Sequence, residues 1–206
     1  MPKYVLTYFD GKGVAESSRL LMAYGGEEFE DIRVSFKDWP ELKPKTLFGA
    51  LPTLHIDGKQ YAQSIAISRY FGQKHGLAGD TLEDALEVDQ MVDYIMELRV
   101  KLSEVHYEAD EALKEAKFAE RAKNVFPTYI ERFNSIITKN NGHLALGKLT
   151  WADFFFAGIL SYLKMMLRMP DLEKQYPAFK QVVENVYSQP KVKAYTDSFP
   201  KYEFDF

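Results

Sequence analysis

The sequence contains no cysteine. That excludes disulfides, thiolate metal sites and a nucleophilic thiol supplied by the protein, so any thiol chemistry must arrive with a ligand. Long apolar runs are missing as well. The longest, Phe154 to Leu160, is far too short to span a bilayer. Met1-Pro2-Lys3 leads straight into Tyr4-Val5-Leu6-Thr7-Tyr8, which reads as a buried strand and leaves no room for a secretory leader. Concentrated positive charge is absent too: the formal net charge is -4, and no Lys/Arg cluster is interleaved with aromatics, which argues against nucleic-acid binding. His55, His75, His106 and His143 show no metal-ligand spacing, and there is no HExxH, Walker or GxGxxG signature, so no metal site is predicted. These absences together predict a cytoplasmic protein, with no membrane or nucleic-acid partner, that meets small molecules or other proteins.

What is present predicts a compact chain. Hydrophobic residues at 46% and aromatics at 15% are too many for a disordered chain, and 206 residues allow one large domain or two modest ones. Residues 3 to 8 read as a strand. Gly11-Lys12-Gly13 breaks the chain before a helical run from Val14 to Tyr24, which Gly25-Gly26 would end, and a second strand fits Phe29 to Val34. Short connections of this kind favour a right-handed parallel crossover. Gly11-Lys12-Gly13 is too short for a phosphate cradle and reads as a flexible turn. An irregular helical segment then runs from Phe36 to Lys45 through Trp39-Pro40.

The stretch Phe48 to Tyr70 organises this half. Asp57-Gly58 lies between the alternating segments Thr53 to Ile56 and Lys59 to Ala62, a strong hairpin signal, and a helix follows with Ser64 placed as its N-cap. Its free first-turn N–H groups, beside Gln63, would welcome a carboxylate. Leu51-Pro52 precedes the first hairpin strand, and the residue before a proline is extended, so a small peptide could pair with Leu51 as an added strand. A plain surface hairpin with an ordinary helix cap is the competing reading. Tyr8 ends the first strand, where its hydroxyl would reach the rim of such a cleft; a buried core tyrosine is the alternative. Strand, helix, strand, hairpin, helix is the thioredoxin-like order.

After Leu77-Ala78-Gly79-Asp80 the pattern becomes helical throughout. The predicted fold class is thus an α+β thioredoxin-like domain over residues 1–78 followed by an all-α domain over 79–206. Val88, Val92, Ile95 and Leu102 share one face of a long helix starting near Leu82. Phe118, Val125, Tyr129, Phe133 and Ile136 mark a second, which Pro127 would bend and Asn140-Asn141-Gly142 would stop. Thr150 and Asp153 form a capping-box-like start to the most apolar helix, the predicted core of this half. Pro177 opens another helix and Pro190 sets off a last short one.

Several separate motifs along nearly the whole chain carry a family resemblance: Leu6-Thr7-Tyr8-Phe9, Asp38-Trp39-Pro40, Phe48-Gly49, Leu51-Pro52, Gln63-Ser64-Ile65-Ala66 and Leu149-Thr150-Trp151-Ala152-Asp153. On these the chain resembles the cytosolic glutathione transferases, in particular the sigma class and its insect members. The resemblance implies glutathione as co-substrate and a cis Leu51-Pro52 bond. It implies that Tyr8 donates to the glutathione sulfur, that Leu51, flanked by Gly49, Ala50 and Pro52, pairs with the cysteinyl backbone, and that Trp39 and Lys43 hold the glycyl end. Gln63 and Ser64 would take the γ-glutamyl carboxylate, and Glu97 would reach the neighbouring subunit's glutathione in a homodimer. A hydrophobic electrophile would meet Phe9, Val14, Met96, Arg99, Tyr107 and the tail at Phe206. Val14, Leu47, Ala50 and His55 depart from residues common in the family, with Val14 bearing on the electrophile pocket and Ala50 on peptide affinity. The implied activity is conjugation of glutathione to electrophiles for detoxification. Glutathione-dependent isomerisation or peroxide reduction of the prostaglandin D synthase kind is the enzymatic alternative, and a crystallin-like structural protein the non-enzymatic one, against which Tyr8, Gln63 and Ser64 argue.

Overall fold

The structure, a computed structural model, describes residues 3–198 and 202–203. Four strands form one mixed sheet: β1 (Tyr4–Phe9), β2 (Phe29–Val34), β3 (Thr53–Ile56) and β4 (Lys59–Ala62), in the order β2-β1-β3-β4. β1 runs parallel to β2 and antiparallel to β3, with Tyr8 opposite Arg33 and Leu6 opposite Leu54. The crossover between β1 and β2 is α1 (Glu16–Gly25). Alternation along β1 sends Tyr4, Leu6 and Tyr8 to the face covered by α1 and α3 (Ser64–Lys74), where the Tyr4 ring meets Phe71 edge-on at 5.3 Å. Val5 and Thr7 look the other way, toward Leu42 of the short α2 (Trp39–Leu42).

Everything beyond is helical: α4 (Leu82–His106), α5 (Glu111–Asn124), α6 (Phe126–Lys139), α7 (Trp151–Leu167), α8 (Leu172–Gln175), α9 (Pro177–Tyr187) and α10 (Pro190–Ser198). Fourteen of the 17 residues of α7 are buried, so it is a core helix with no solvent face. It also ties the helical half to the sheet half. A Cβ on Gly158 would lie 2.6 Å from the backbone nitrogen of Ser17, so α1 and α7 touch backbone to backbone where only glycine fits. The Trp151 N–H closes onto the Leu77 carbonyl at 3.0 Å, which holds the connection between α3 and α4 against the start of α7.

Three sequence expectations change in detail. Helix α1 starts at Glu16, because residues 12–15 form a tight turn in which the Ala15 and Glu16 N–H groups both reach the Lys12 carbonyl. The predicted bend at Pro127 is a break between α5 and α6. Proline cannot continue the hydrogen-bond ladder, so the chain unwinds at Val125 (φ -118°, ψ -60°), and Pro127 sits in the first turn of the new helix. Ile137, and not Ile136, completes the buried stripe of α6.

The start of α7 matches its reading. The buried Asp153 carboxylate accepts the Thr150 N–H at 2.7 Å and hydroxyl at 3.0 Å, and its other oxygen accepts the Leu144 N–H at 2.9 Å. Asp153→Ala strands these donors in the core. Three charge-assisted bonds at ~1.5–3 kcal/mol each place the expected destabilisation at roughly 4 kcal/mol or more. Urea unfolding followed by circular dichroism should show a lower midpoint at constant slope, with Asp153→Asn intermediate. Equal midpoints for all three proteins would show that this cap does not anchor the helical half.

Candidate active site

The cleft opens at the C-terminal end of β1. The ring of Tyr8 is half-buried, and its oxygen accepts the backbone N–H of Val14 at 3.4 Å. A Cβ on Gly13 would stand 2.5 Å from that oxygen, and Gly13 has φ +44°, so the turn presses against the phenol where no side chain fits. Burial raises the Tyr8 pKa above its ordinary value; the Val14 N–H and the Arg99 and Arg19 guanidiniums act in the opposite direction. The group is therefore a neutral phenol at physiological pH. Its oxygen already accepts from Val14, and its own O–H remains to be donated.

A buried cation holds the turn in place. The guanidinium of Arg19, with no exposed surface, donates to the Gly11 carbonyl at 2.9 Å, to Asp31 at 3.1 Å and to Glu16 at 3.3 Å. It lies 5.9 Å from the Tyr8 ring centroid and 5.3 Å from that of Tyr202, whose hydroxyl donates to Glu16 at 2.6 Å. Sequence reasoning passed over Arg19, because an arginine on an amphipathic helix reads as solvent-facing. Its partner Asp31 closes the acidic run Glu27-Glu28-Phe29-Glu30-Asp31, whose composition alone suits a solvated edge as well as a buried ion pair.

The opposite wall is the turn into β3. Leu51 precedes the ladder, pairs with no strand, and is joined to Pro52 by a cis peptide bond. Ala50 is exposed, Gly49 has φ +63°, and the Lys43 side chain runs past Gly49, 3.7 Å from where a Cβ would sit. The Trp39 ring is half-buried and meets Phe9 edge-on at 5.6 Å, while Phe9 also stacks on Phe36 at 4.8 Å and touches Tyr8. Phe9 thus braces Trp39.

At the start of α3 the cap is one residue earlier than predicted. Gln63 is the N-cap and Ser64 the first helical residue, because the chain enters through Gln63 at φ +76°, ψ +110°. A non-glycine residue held there is strained, and such strain gathers at ligand sites. No side chain caps the helix, so its first-turn N–H groups are left for a ligand. Ser17 and Ser18, the other hydroxyls near the first helix that could have activated a sulfur, are buried and bonded to Ser68 at 2.8 and 3.1 Å.

The helical half supplies the far end. Arg99 carries charge close enough to act on both Tyr8 and Tyr162, and the Tyr107 and Tyr162 hydroxyls are 2.6 Å apart. Met96 packs against the core. Glu97 is exposed and does not join this group: it accepts the Tyr129 hydroxyl and lies 3.7 Å from Lys101. The predicted contact at Phe206 lies outside the described residues. Among the described residues no three His, Cys, Asp or Glu side chains gather as metal ligands, and no helix is long and apolar enough to cross a membrane.

Residues 4–73 match the family model described as Glutathione S-transferase, N-terminal domain, and residues 96–199 match Glutathione S-transferase, C-terminal domain. Among curated proteins, Glutathione S-transferase 2 of Manduca sexta is 57% identical, over 99% of this chain and all of the relative. Hematopoietic prostaglandin D synthase of Gallus gallus is 33% identical over 98% of both chains. Among solved structures, prostaglandin synthase D of Nilaparvata lugens superposes with a TM-score of 0.91 at 37% identity, covering 97% of this chain and 99% of that one. Both halves of the chain therefore match one family along nearly the whole length, and the chain belongs to the glutathione S-transferase family.

Proposed function

We propose that the protein binds glutathione in the cleft between Tyr8 and Leu51, ionises its thiol and adds the thiolate to hydrophobic electrophiles. The observation that carries this reading is the Tyr8 hydroxyl, kept protonated by burial and fed by the Val14 N–H, with its own proton left to donate. The tripeptide pairs with Leu51, its glycyl carboxylate goes to Lys43 and Trp39, and its γ-glutamyl carboxylate goes to Gln63, Ser64 and the open N-terminus of α3. On this reading residues 1–78 form the glutathione domain and residues 79–206 carry the electrophile site. The cellular role is detoxification in the cytoplasm.

The energetics are sufficient. A free thiol titrates near ~8.5, and lowering that by about two units takes roughly 2.7 kcal/mol of preference for the anion. One hydrogen bond to a charged acceptor supplies about 1.5–3 kcal/mol. A metal or separate base is unnecessary: the thiol proton leaves to solvent, and the thiolate attacks an already activated carbon.

The active unit in this proposal is a homodimer. Leu47 and Phe48 are 54% and 62% exposed beside Tyr61 and Tyr70, around an apolar hollow of about 440 Å³ that includes Ala66. A contiguous apolar patch of this kind suits burial in an interface. Glu97, exposed and steadied by Tyr129 and Lys101, is the acid this reading assigns to the partner's glutathione. The likeness to the Nilaparvata lugens structure favours one second reading, isomerisation of a lipid endoperoxide by the same thiolate. Assaying endoperoxide isomerisation beside conjugation separates the two.

Tyr8→Phe keeps the ring and removes the donor. The thiol pKa of bound glutathione should rise by about one to two units, and turnover near pH 7 should fall about tenfold or more, recovering in part as pH rises. Thiolate absorbance and the pH profile of conjugation measure this. An equal pKa and equal rate in both proteins would make Tyr8 a packed aromatic only. For the dimer, Phe48→Asp should shift the sedimentation equilibrium at micromolar protein toward monomer and raise the KM for glutathione. A variant that stays dimeric would place the interface elsewhere.

A further inference from the structure

One face of α4 presents Arg99, Ser103 and Tyr107 at successive turns toward α7, where Ser103 Oγ meets Met166 Sδ at 3.9 Å and the Tyr107 hydroxyl meets that of Tyr162. Arg99 is the cation on this face, and it is uncompensated. Its Nε is buried without an acceptor, and among the described residues no carboxylate pairs with its guanidinium. The acids around it are engaged elsewhere: Glu97 with Tyr129 and Lys101, Glu104 with Arg121 at 2.7 Å, and Glu108 with Lys117 at 2.5 Å. A structural arginine in this protein looks different, since Arg19 has two carboxylates and a carbonyl. Arg99 Nε is not alone in lacking a partner, since Arg19 Nη2 and Trp151 Nε1 are also buried without one. What sets Arg99 apart is that no carboxylate among the described residues neutralises it, and an uncompensated guanidinium at the edge of a cleft marks a place for an acceptor that comes with a ligand.

We infer that Arg99 makes the electrophile site selective for apolar electrophiles that carry a carboxylate, the guanidinium binding the acid while the apolar body lies beside Tyr8, Val14 and Tyr107. This rests on the conjugation reading above and names its substrate class. The two oxygens of a carboxylate match the guanidinium fork, and the Tyr107 and Tyr162 hydroxyls border the same space. With an enone, the thiolate sulfur forms a bond to the β-carbon, and the π pair moves onto the α-carbon and carbonyl oxygen. The enolate then takes a proton from water, and nothing leaves. The charge on Arg99 orients the acceptor and takes no part in the electron flow.

The test uses an aryl enone bearing a carboxylate side chain and its methyl ester, with the full-length protein at saturating glutathione. Wild type should show a kcat/KM for the acid about tenfold or more above that for the ester. Arg99→Gln should lower this ratio by about tenfold, chiefly through the KM of the acid, and Arg99→Lys should retain part of it. Equal preference by wild type, or an equal fall for acid and ester in Arg99→Gln, overturns the inference while leaving conjugation standing. So does a rise in the KM for glutathione in Arg99→Gln as the main effect. Failure of wild type to conjugate either compound overturns the underlying reading and this inference with it.

Discussion

The cleft depends on a cation that has no contact with water. Arg19 is fully buried, and a buried charge costs several kcal/mol of desolvation unless it is paired. Its Nε and Nη1 are paired, with Asp31 from β2, Glu16 from its own helix and the Gly11 carbonyl from the loop before it. Each of these belongs to a different piece of backbone, so the arginine fixes strand, helix and turn relative to one another. The turn then fixes Tyr8 through Gly13, which packs on the phenol, and Val14, which donates to it. Removing the cation would leave Glu16 with the Tyr202 hydroxyl and Asp31 with Arg33, but would strip each carboxylate of its fully buried counter-charge.

The helical half keeps that arrangement from shifting. Helix α1 is held between the sheet and α7, and the backbone contact at Gly158 leaves no space for either helix to slide. The Trp151 indole packs over Gly72 of α3 in the same way, with a Cβ there only 2.5 Å from the indole Cγ. Helix α7 in turn is anchored at its first turn by the Asp153 carboxylate. The rigid path thus runs from a cap in the second half to the phenol in the first. At the rim of the cleft the side chains of Lys43 and Gln63 are exposed.

Much of this was legible in the residues. Asp57-Gly58 marked the hairpin, Gly25-Gly26 and Asn140-Asn141-Gly142 marked helix ends, and Thr150 with Asp153 marked a buried helix, because turns and caps are local and depend on a few side chains. The placement of Tyr8 followed from strand order. What stayed hidden was non-local or depended on one dihedral. Gln63 displaced the cap from Ser64 by adopting a positive φ that no composition rule assigns to glutamine. Pro127 separated two helices where a bend was predicted, since periodicity runs on across a one-residue break. Arg19 on α1 and Asp31 on β2 belong to different elements and meet only once the helix packs on the sheet.

The two arginines that act on Tyr8 divide the labour between structure and ligand. Both guanidiniums favour the phenolate, and burial opposes them more strongly, so the phenol stays protonated and keeps the proton that the proposed reaction asks it to donate. Had the cations won, Tyr8 would carry a negative charge and would repel a thiolate bound beside it. Arg19 avoids that outcome because Asp31 and Glu16 neutralise it within the protein. Arg99 has no such partner among the described residues, so its charge still acts on Tyr8, and on the inference above an anionic ligand would quench it. A bound carboxylate would therefore also relieve the pull of Arg99 on the Tyr8 proton.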